Sequence, residues 1–156
     1  MKHALFIVIL AWTLSGCTMV VSSAASGLSD SVSDSVLNQD DPETAKAALP
    51  TFMVLLDGMV RDNPTDPDIL SSTATLYASY GAIFADDPVR ESRLTTRARR
   101  YAHSAVCEVY APACDWGNLT YDEFVVSLDG LRPKHAEYVY TYGFASLAYL
   151  RAHSDD

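Results

Sequence analysis

Apolar residues recur along this chain every three or four positions, and no stretch alternates with period two. That spacing places them on one side of α-helices rather than on a sheet. Asp-Pro occurs three times, at Asp41-Pro42, Asp66-Pro67 and Asp87-Pro88. Each pair predicts a helix start: Asp accepts from free N–H groups, and Pro sits where no N–H is needed. A first helix is expected over about 42–61, with Leu49, Phe52, Met53, Leu56, Met59 and Val60 on one face. Pro50 inside it predicts a kink, or a short leading helix split from the rest. After the stop at Asp62-Asn63-Pro64, a second helix is expected over about 67–85. It carries Ile69, Thr73, Leu76, Tyr77, Tyr80 and Phe84 in one stripe, and Ala74, Ala78 and Ala82 in another. A third, over about 88–110, carries Leu94, Ala98, Tyr101, Ala102, Ala105 and Val109. Thr120 and Glu123 have capping-box spacing and predict a short fourth helix. The last is expected from Pro133 to about His153, with Tyr138, Tyr142, Ala145 and Tyr149 facing inward.

The fold class expected is all-α: antiparallel hairpins joined by short turns. A hairpin with a small-residue stripe and a turn such as Asp62 to Pro67 has the form of a tetratricopeptide-type repeat. One clear repeat spans about 49–85 and a looser one follows. The final helix is aromatic-rich and ends at Ser154-Asp155-Asp156, which predicts further helices beyond a truncated domain.

The first residues follow a different pattern. Lys2 and His3 precede an apolar run over residues 4–14. That run is too short to cross a bilayer as a helix, which takes roughly 20 residues. Charged start, short apolar centre and small-residue end make it an export signal. The end reads Leu14-Ser15-Gly16-Cys17, the bacterial lipobox, in which the Cys17 thiolate accepts a diacylglycerol and an acyl chain such as palmitate follows. Residues 1–16 are therefore expected to be removed. Residues 17–37, rich in Ser, Ala, Gly and Asp, cannot bury enough surface to fold and are expected to form a flexible lipidated tether. The helical domain is expected over 38–156. Thr18 stands where an Asp would favour inner-membrane retention, so the outer membrane is the expected anchor. The location expected is the periplasm, on a lipid.

Charge removes one class of partner. With 11 Lys+Arg against 20 Asp+Glu and a net charge of −9, the chain repels nucleic acid. Of three cysteines, Cys17 is taken by the lipid, leaving Cys107 and Cys114 around Ala111-Pro112-Ala113. Export into an oxidising compartment favours a bridge, which would contribute about 2–3 kcal/mol. The alternative is two unpaired buried thiols. No zinc site is expected, since no partner motif lies nearby.

The search for chemistry finds no nucleophile elbow, phosphate loop or HExxH motif. His3, His103, His135 and His153 are scattered, and the acid pairs Asp40-Asp41, Asp86-Asp87 and Asp122-Glu123 sit at helix starts, where they cap. No enzyme, cofactor or metal is implied. Arg90, Arg93, Arg97 and Arg100 share a face of the third helix, with Arg99 beside it. They could bind a carboxylate, or be a solvated face paired with the surplus acids. Tyr138, Tyr140 and Tyr142, among nine tyrosines, could line a groove or form a wet-edged core.

Several segments in order resemble the TRAP-transporter T-component family of periplasmic lipoproteins. They are Asn38-Gln39-Asp40-Asp41-Pro42, Leu55-Leu56-Asp57-Gly58, Asp62-Asn63-Pro64, Leu76-Tyr77-Ala78-Ser79-Tyr80, Phe84, and the small-residue helix ending at Cys107. The span from Tyr138 to Leu150 resembles a later aromatic helix of the family. The resemblance implies a tetratricopeptide-like fold and an accessory subunit of a tripartite solute importer. It implies association with the periplasmic solute-binding protein, hydrophobic or carboxylate ligands, and a homo-oligomer, a trimer. The matching motifs offer Asn38, Gln39, Asp57, Tyr77 and Tyr80 as ligand-binding candidates, although Asp57-Gly58 could equally serve packing. Family members carry helices beyond this chain's end. The alternative function is a general tetratricopeptide-like adaptor of the envelope, for example in outer-membrane assembly.

Overall fold

A computed structural model describes residues 39–154. The export signal, Cys17, the tether and Asn38 lie outside the described residues. The fold is all-α: five α-helices and two short 3₁₀ segments, with no strand among the described residues. The helices are α1 (Pro42–Asp62), α2 (Pro67–Phe84), α3 (Pro88–Val109), α4 (Tyr121–Ser127) and α5 (Ala136–Ala152). The 3₁₀ segments are Ala111–Asp115, where the sequence predicted only a turn, and Pro133–His135, which leads into α5.

The Asp-Pro starts cap as their chemistry requires. Asp66 accepts from the N–H groups of Asp68 (3.0 Å) and Ile69 (3.1 Å). Asp87 accepts from Arg90 N–H at 3.0 Å. Thr120 and Glu123 close a reciprocal capping box on α4. In the short N-terminal unit that ends at Ala45, Asp41 accepts from Glu43 N–H and from the Thr44 hydroxyl. These bonds, the Thr44 one foremost, hold its carboxyl below the usual range. Pro50 does not split the first helix, which is one element from Pro42 to Asp62. Leu49 and Met53, on either side of the proline and one turn apart, are both buried and fix the two halves in one register.

In the main unit, Lys46–Asp156, the extensive helix contacts are α2 with α3, α3 with α5, and α2 with α5. Small side chains make this possible. Ala74, Ala78, Ala98, Ala102, Ala105 and Ala145 have no exposed surface. At Gly81 a Cβ would stand 3.1 Å from the Leu94 Cβ and 3.2 Å from the Thr95 Cγ2. Glycine there lets α2 and α3 approach at van der Waals distance. Polar side chains in this contact are satisfied: Ser71 donates to Thr141 across α2 and α5 at 3.0 Å, and Thr73 and Thr95 donate to carbonyls of their own helices.

The closest hairpin is thus α2–α3, not the α1–α2 pair that the sequence offered as a repeat. Over residues 46–62, α1 makes no extensive backbone contact with the other helices. It reaches them through side chains, among them Lys46 to Asp86 at 2.9 Å and Asp57, described below. A second core cluster closes the C-terminal end of α3. Val106, Ala113 and Trp116 are buried there, with Tyr110, Phe124, Leu128 and Tyr142 packed around them. The Trp116 Nε1–H donates to the Ser127 hydroxyl at 2.8 Å, and the Tyr110 hydroxyl donates to the Ser127 carbonyl at 2.5 Å. Among the described residues, no helix is long and apolar enough to cross a membrane.

Candidate functional site

Asp57 sits on α1 five residues before its end, with its side chain 17% exposed. Tyr77 lies mid-way along α2 and Tyr101 in the second half of α3, and both are buried. Their hydroxyls converge on the one carboxylate. Tyr77 donates to Oδ2 at 2.6 Å and Tyr101 donates to Oδ1 at 2.8 Å. Arg97, one turn before Tyr101, completes the group. Its guanidinium is 3.2 Å from Oδ2 of Asp57 and donates to the Tyr77 hydroxyl at 3.1 Å. It also stands over the Tyr77 ring, 5.3 Å from the centroid, while the two rings meet edge to face at 5.9 Å.

The electrostatics follow from the geometry. Burial and then the hydrogen bond to Asp57 push the Tyr77 hydroxyl far above its ordinary value, and the same causes raise Tyr101. Ionising either would place a phenolate against a carboxylate in a partly dry site. At neutral pH the tyrosines are therefore donors, Asp57 is the acceptor and Arg97 balances its charge. This arrangement joins three helices by polar contacts.

The five candidates taken from sequence fare differently. Asp57 and Tyr77 are brought together. Tyr80 is not with them: it is buried, packs on Phe84 at 5.6 Å and lies under Arg90, whose carbon is 5.2 Å from its ring centroid. Gln39 is exposed in the N-terminal unit, where its side chain accepts from Asp41 N–H at 3.3 Å. Asn38 is outside the described residues. Sequence reading missed Tyr101 as a partner of Asp57, and missed Arg97 as its counter-charge. The available signal was their i, i+4 spacing, which puts both on one face of α3.

The arginine face is paired with an acid at one position. Of these arginines only Arg97 meets a carboxylate among the described residues. Arg90, Arg99 and Arg100 instead lie over tyrosine rings: Tyr80, Tyr149 at 4.8 Å and Tyr101 at 5.6 Å. Such stacking is worth about 0.5–1 kcal/mol at exposed sites. Tyr80 and Tyr149 stand on the neighbouring helices α2 and α5, and Tyr101 on α3 itself. The three late tyrosines also separate. Tyr142 packs on Trp116 at 5.6 Å. Tyr138 donates to Asp68 across to α2. Tyr140 is 75% exposed.

Cys107 and Cys114 are joined by a disulfide, with Cα atoms 4.7 Å apart. It ties the end of α3 to the 3₁₀ segment that precedes Trp116. Among the described residues no group of His, Cys, Asp and Glu could hold a metal ion.

Compared with known proteins, residues 38–156 match the family described as TRAP transporter T-component. No curated protein and no solved structure matches the chain.

Proposed function

Since the chain belongs to the TRAP transporter T-component family, we propose that it is a non-enzymatic periplasmic accessory subunit that docks on the importer's solute-binding protein. The family match carries this reading, because it runs through every described helix rather than through one motif. The subunit would handle small hydrophobic or carboxylate solutes, act as a homo-oligomer such as a trimer, and be built from tetratricopeptide-like hairpins. The lipobox at Leu14-Ser15-Gly16-Cys17 supports an anchor through Cys17, with residues 17–37 as the tether and the outer membrane as the surface.

Two outcomes are expected. Crosslinking the tagged protein in its own membranes should recover a TRAP solute-binding protein by mass spectrometry. Recovery of outer-membrane assembly proteins alone would replace the transporter reading with an envelope adaptor. Cys17→Ser should move the protein from the membrane pellet to an unprocessed, non-acylated form, read by metabolic labelling with a palmitate analogue. Undiminished labelling of that variant would remove Cys17 as the anchor.

A further inference from the structure

α4 carries more apolar residues than its own packing uses. Phe124 and Leu128, one turn apart, pack on the cluster of Val106, Ala113 and Trp116, and the Phe124 ring meets Trp116 edge to face at 5.4 Å. Tyr121, Val125 and Val126 are left exposed, Tyr121 by 79% and Val126 by 68%. Two adjacent valines are a poor choice for a solvated helix, because β-branching restricts their rotamers there. Apolar side chains grouped on the surface without a packing role mark a place of contact with another molecule.

Val126 forms part of a groove of about 520 Å³ between the first 3₁₀ segment and α4. Pro112 and Leu119 add to its apolar surface, and Asp115, Asp122 and Glu123 supply three carboxyl groups. No Lys, Arg or His lines it. Asp115 and Asp122 are exposed and form no ion pair among the described residues. Glu123 accepts from the Thr120 N–H at 2.9 Å and from the Thr120 hydroxyl at 2.7 Å. These bonds, the backbone one foremost, hold its carboxyl below the usual range. Both walls are fixed before anything binds. The disulfide ties the Pro112 side to the end of α3, while the capping box and the bond from Trp116 to Ser127 hold α4. A preformed surface avoids the entropic cost of ordering it on binding.

We propose that this groove docks a segment of a partner protein in which an apolar side chain stands beside Lys or Arg. The apolar group packs on Leu119 and Val126, and the cations meet Asp115 and Asp122. An apolar centre with a polar rim is the ordinary anatomy of a protein–protein contact. The sign of the rim selects the partner: carboxylates attract a basic segment and repel nucleic acid, anionic lipid headgroups and carboxylate solutes. The partner is defined by this chemistry alone, so the assignment goes beyond the transporter reading and does not rest on it.

The test is fluorescence anisotropy with the full-length protein in nanodiscs of phosphatidylcholine, with binding to empty discs subtracted. The probe is the dye-labelled peptide Lys-Leu-Leu-Lys-Leu-Leu-Lys. One comparator has every leucine replaced by serine, and the other has every lysine replaced by glutamate. Saturable binding of the probe, at least tenfold tighter than either comparator, is expected. Asp115→Asn with Asp122→Asn should weaken it at least tenfold, while Asp40→Asn with Asp62→Asn, the same loss of charge elsewhere, should leave it within twofold. Val126→Ser, at an exposed position, should weaken it at least fivefold and serves if the groove double variant is unstable. No saturation, equal binding of either comparator, full affinity in either groove variant, or an equal loss on changing Asp40 and Asp62 would each overturn the assignment.

Discussion

Replacing Asp57 by alanine should lower the unfolding free energy by about 3 kcal/mol, a sizeable part of the 5–15 kcal/mol that ordinarily holds a domain. The reasoning begins with what is left behind. The Tyr77 and Tyr101 hydroxyls are buried and donate to Asp57 alone among acceptors. Each hydrogen bond to a charged group is worth about 1.5–3 kcal/mol, and a buried donor left unpaired keeps its desolvation cost. The ion pair with Arg97 adds little, since that side chain is 43% exposed and water screens it. Asp57→Asn should cost roughly half as much, because the amide keeps one acceptor and loses the charge. Denaturant unfolding with Tyr77→Phe as the second arm of a double-mutant cycle separates the pair from the rest. A loss below about 1 kcal/mol for Asp57→Ala, or strict additivity with Tyr77→Phe, would show that the network does not join these helices.

Alkaline pH should unfold this protein more steeply than its net charge alone would. In the folded chain the Tyr77 and Tyr101 hydroxyls titrate above their ordinary value of about 10, chiefly from burial and then from the bond to Asp57. Tyr138 is pushed up to about 12, first by its bond to Asp68. The folded values are raised, so this stability is fully present below about pH 10, where each tyrosine is protonated in both states. Above that the unfolded chain gives up protons that the folded chain keeps. Each of the two buried tyrosines then costs about 1.4 kcal/mol per pH unit. Tyr138, nearer water, contributes less, and its share stops growing at about pH 12. Denaturant midpoints taken between pH 8 and 11 should fall only in the upper part of that range, and Tyr77→Phe should flatten the fall. A midpoint that stays level to pH 11 would sink the idea.

The two effects share a cause that lies partly in the sequence and partly beyond it. The helix starts were legible because a cap is local: Asp66, Asp87 and Thr120 act on N–H groups two or three residues away. The helix bodies were legible because burial imposes a period on Leu49 and Met53, or on Tyr77 and Tyr80, whatever they pack against. Pro50 misled, since its local cost predicted a break that burial on both sides of it overrides. The segment Ala111–Asp115 is too short to show a period, so it read as a turn, and Trp116 as a core anchor went unnoticed.

The candidate site shows the same division. Asp57 and Tyr77 were singled out by motif, yet nothing in a linear chain says that Tyr101, 44 residues after Asp57, gives the same carboxylate its second hydroxyl. Nor does spacing say that Arg99 faces Tyr149 rather than an acid. The sequence by itself determined the all-α class, the helix boundaries, the family and the acidic charge. Those follow from interactions within a few residues or from composition, which no fold can change. Only the tertiary structure decided that α3 pairs most closely with α2 and α5, and that tyrosine rings receive Arg90, Arg99 and Arg100 while Arg97 meets Asp57. Those depend on which distant side chains share one volume, and that choice is made by close packing of Gly81 and the buried alanines.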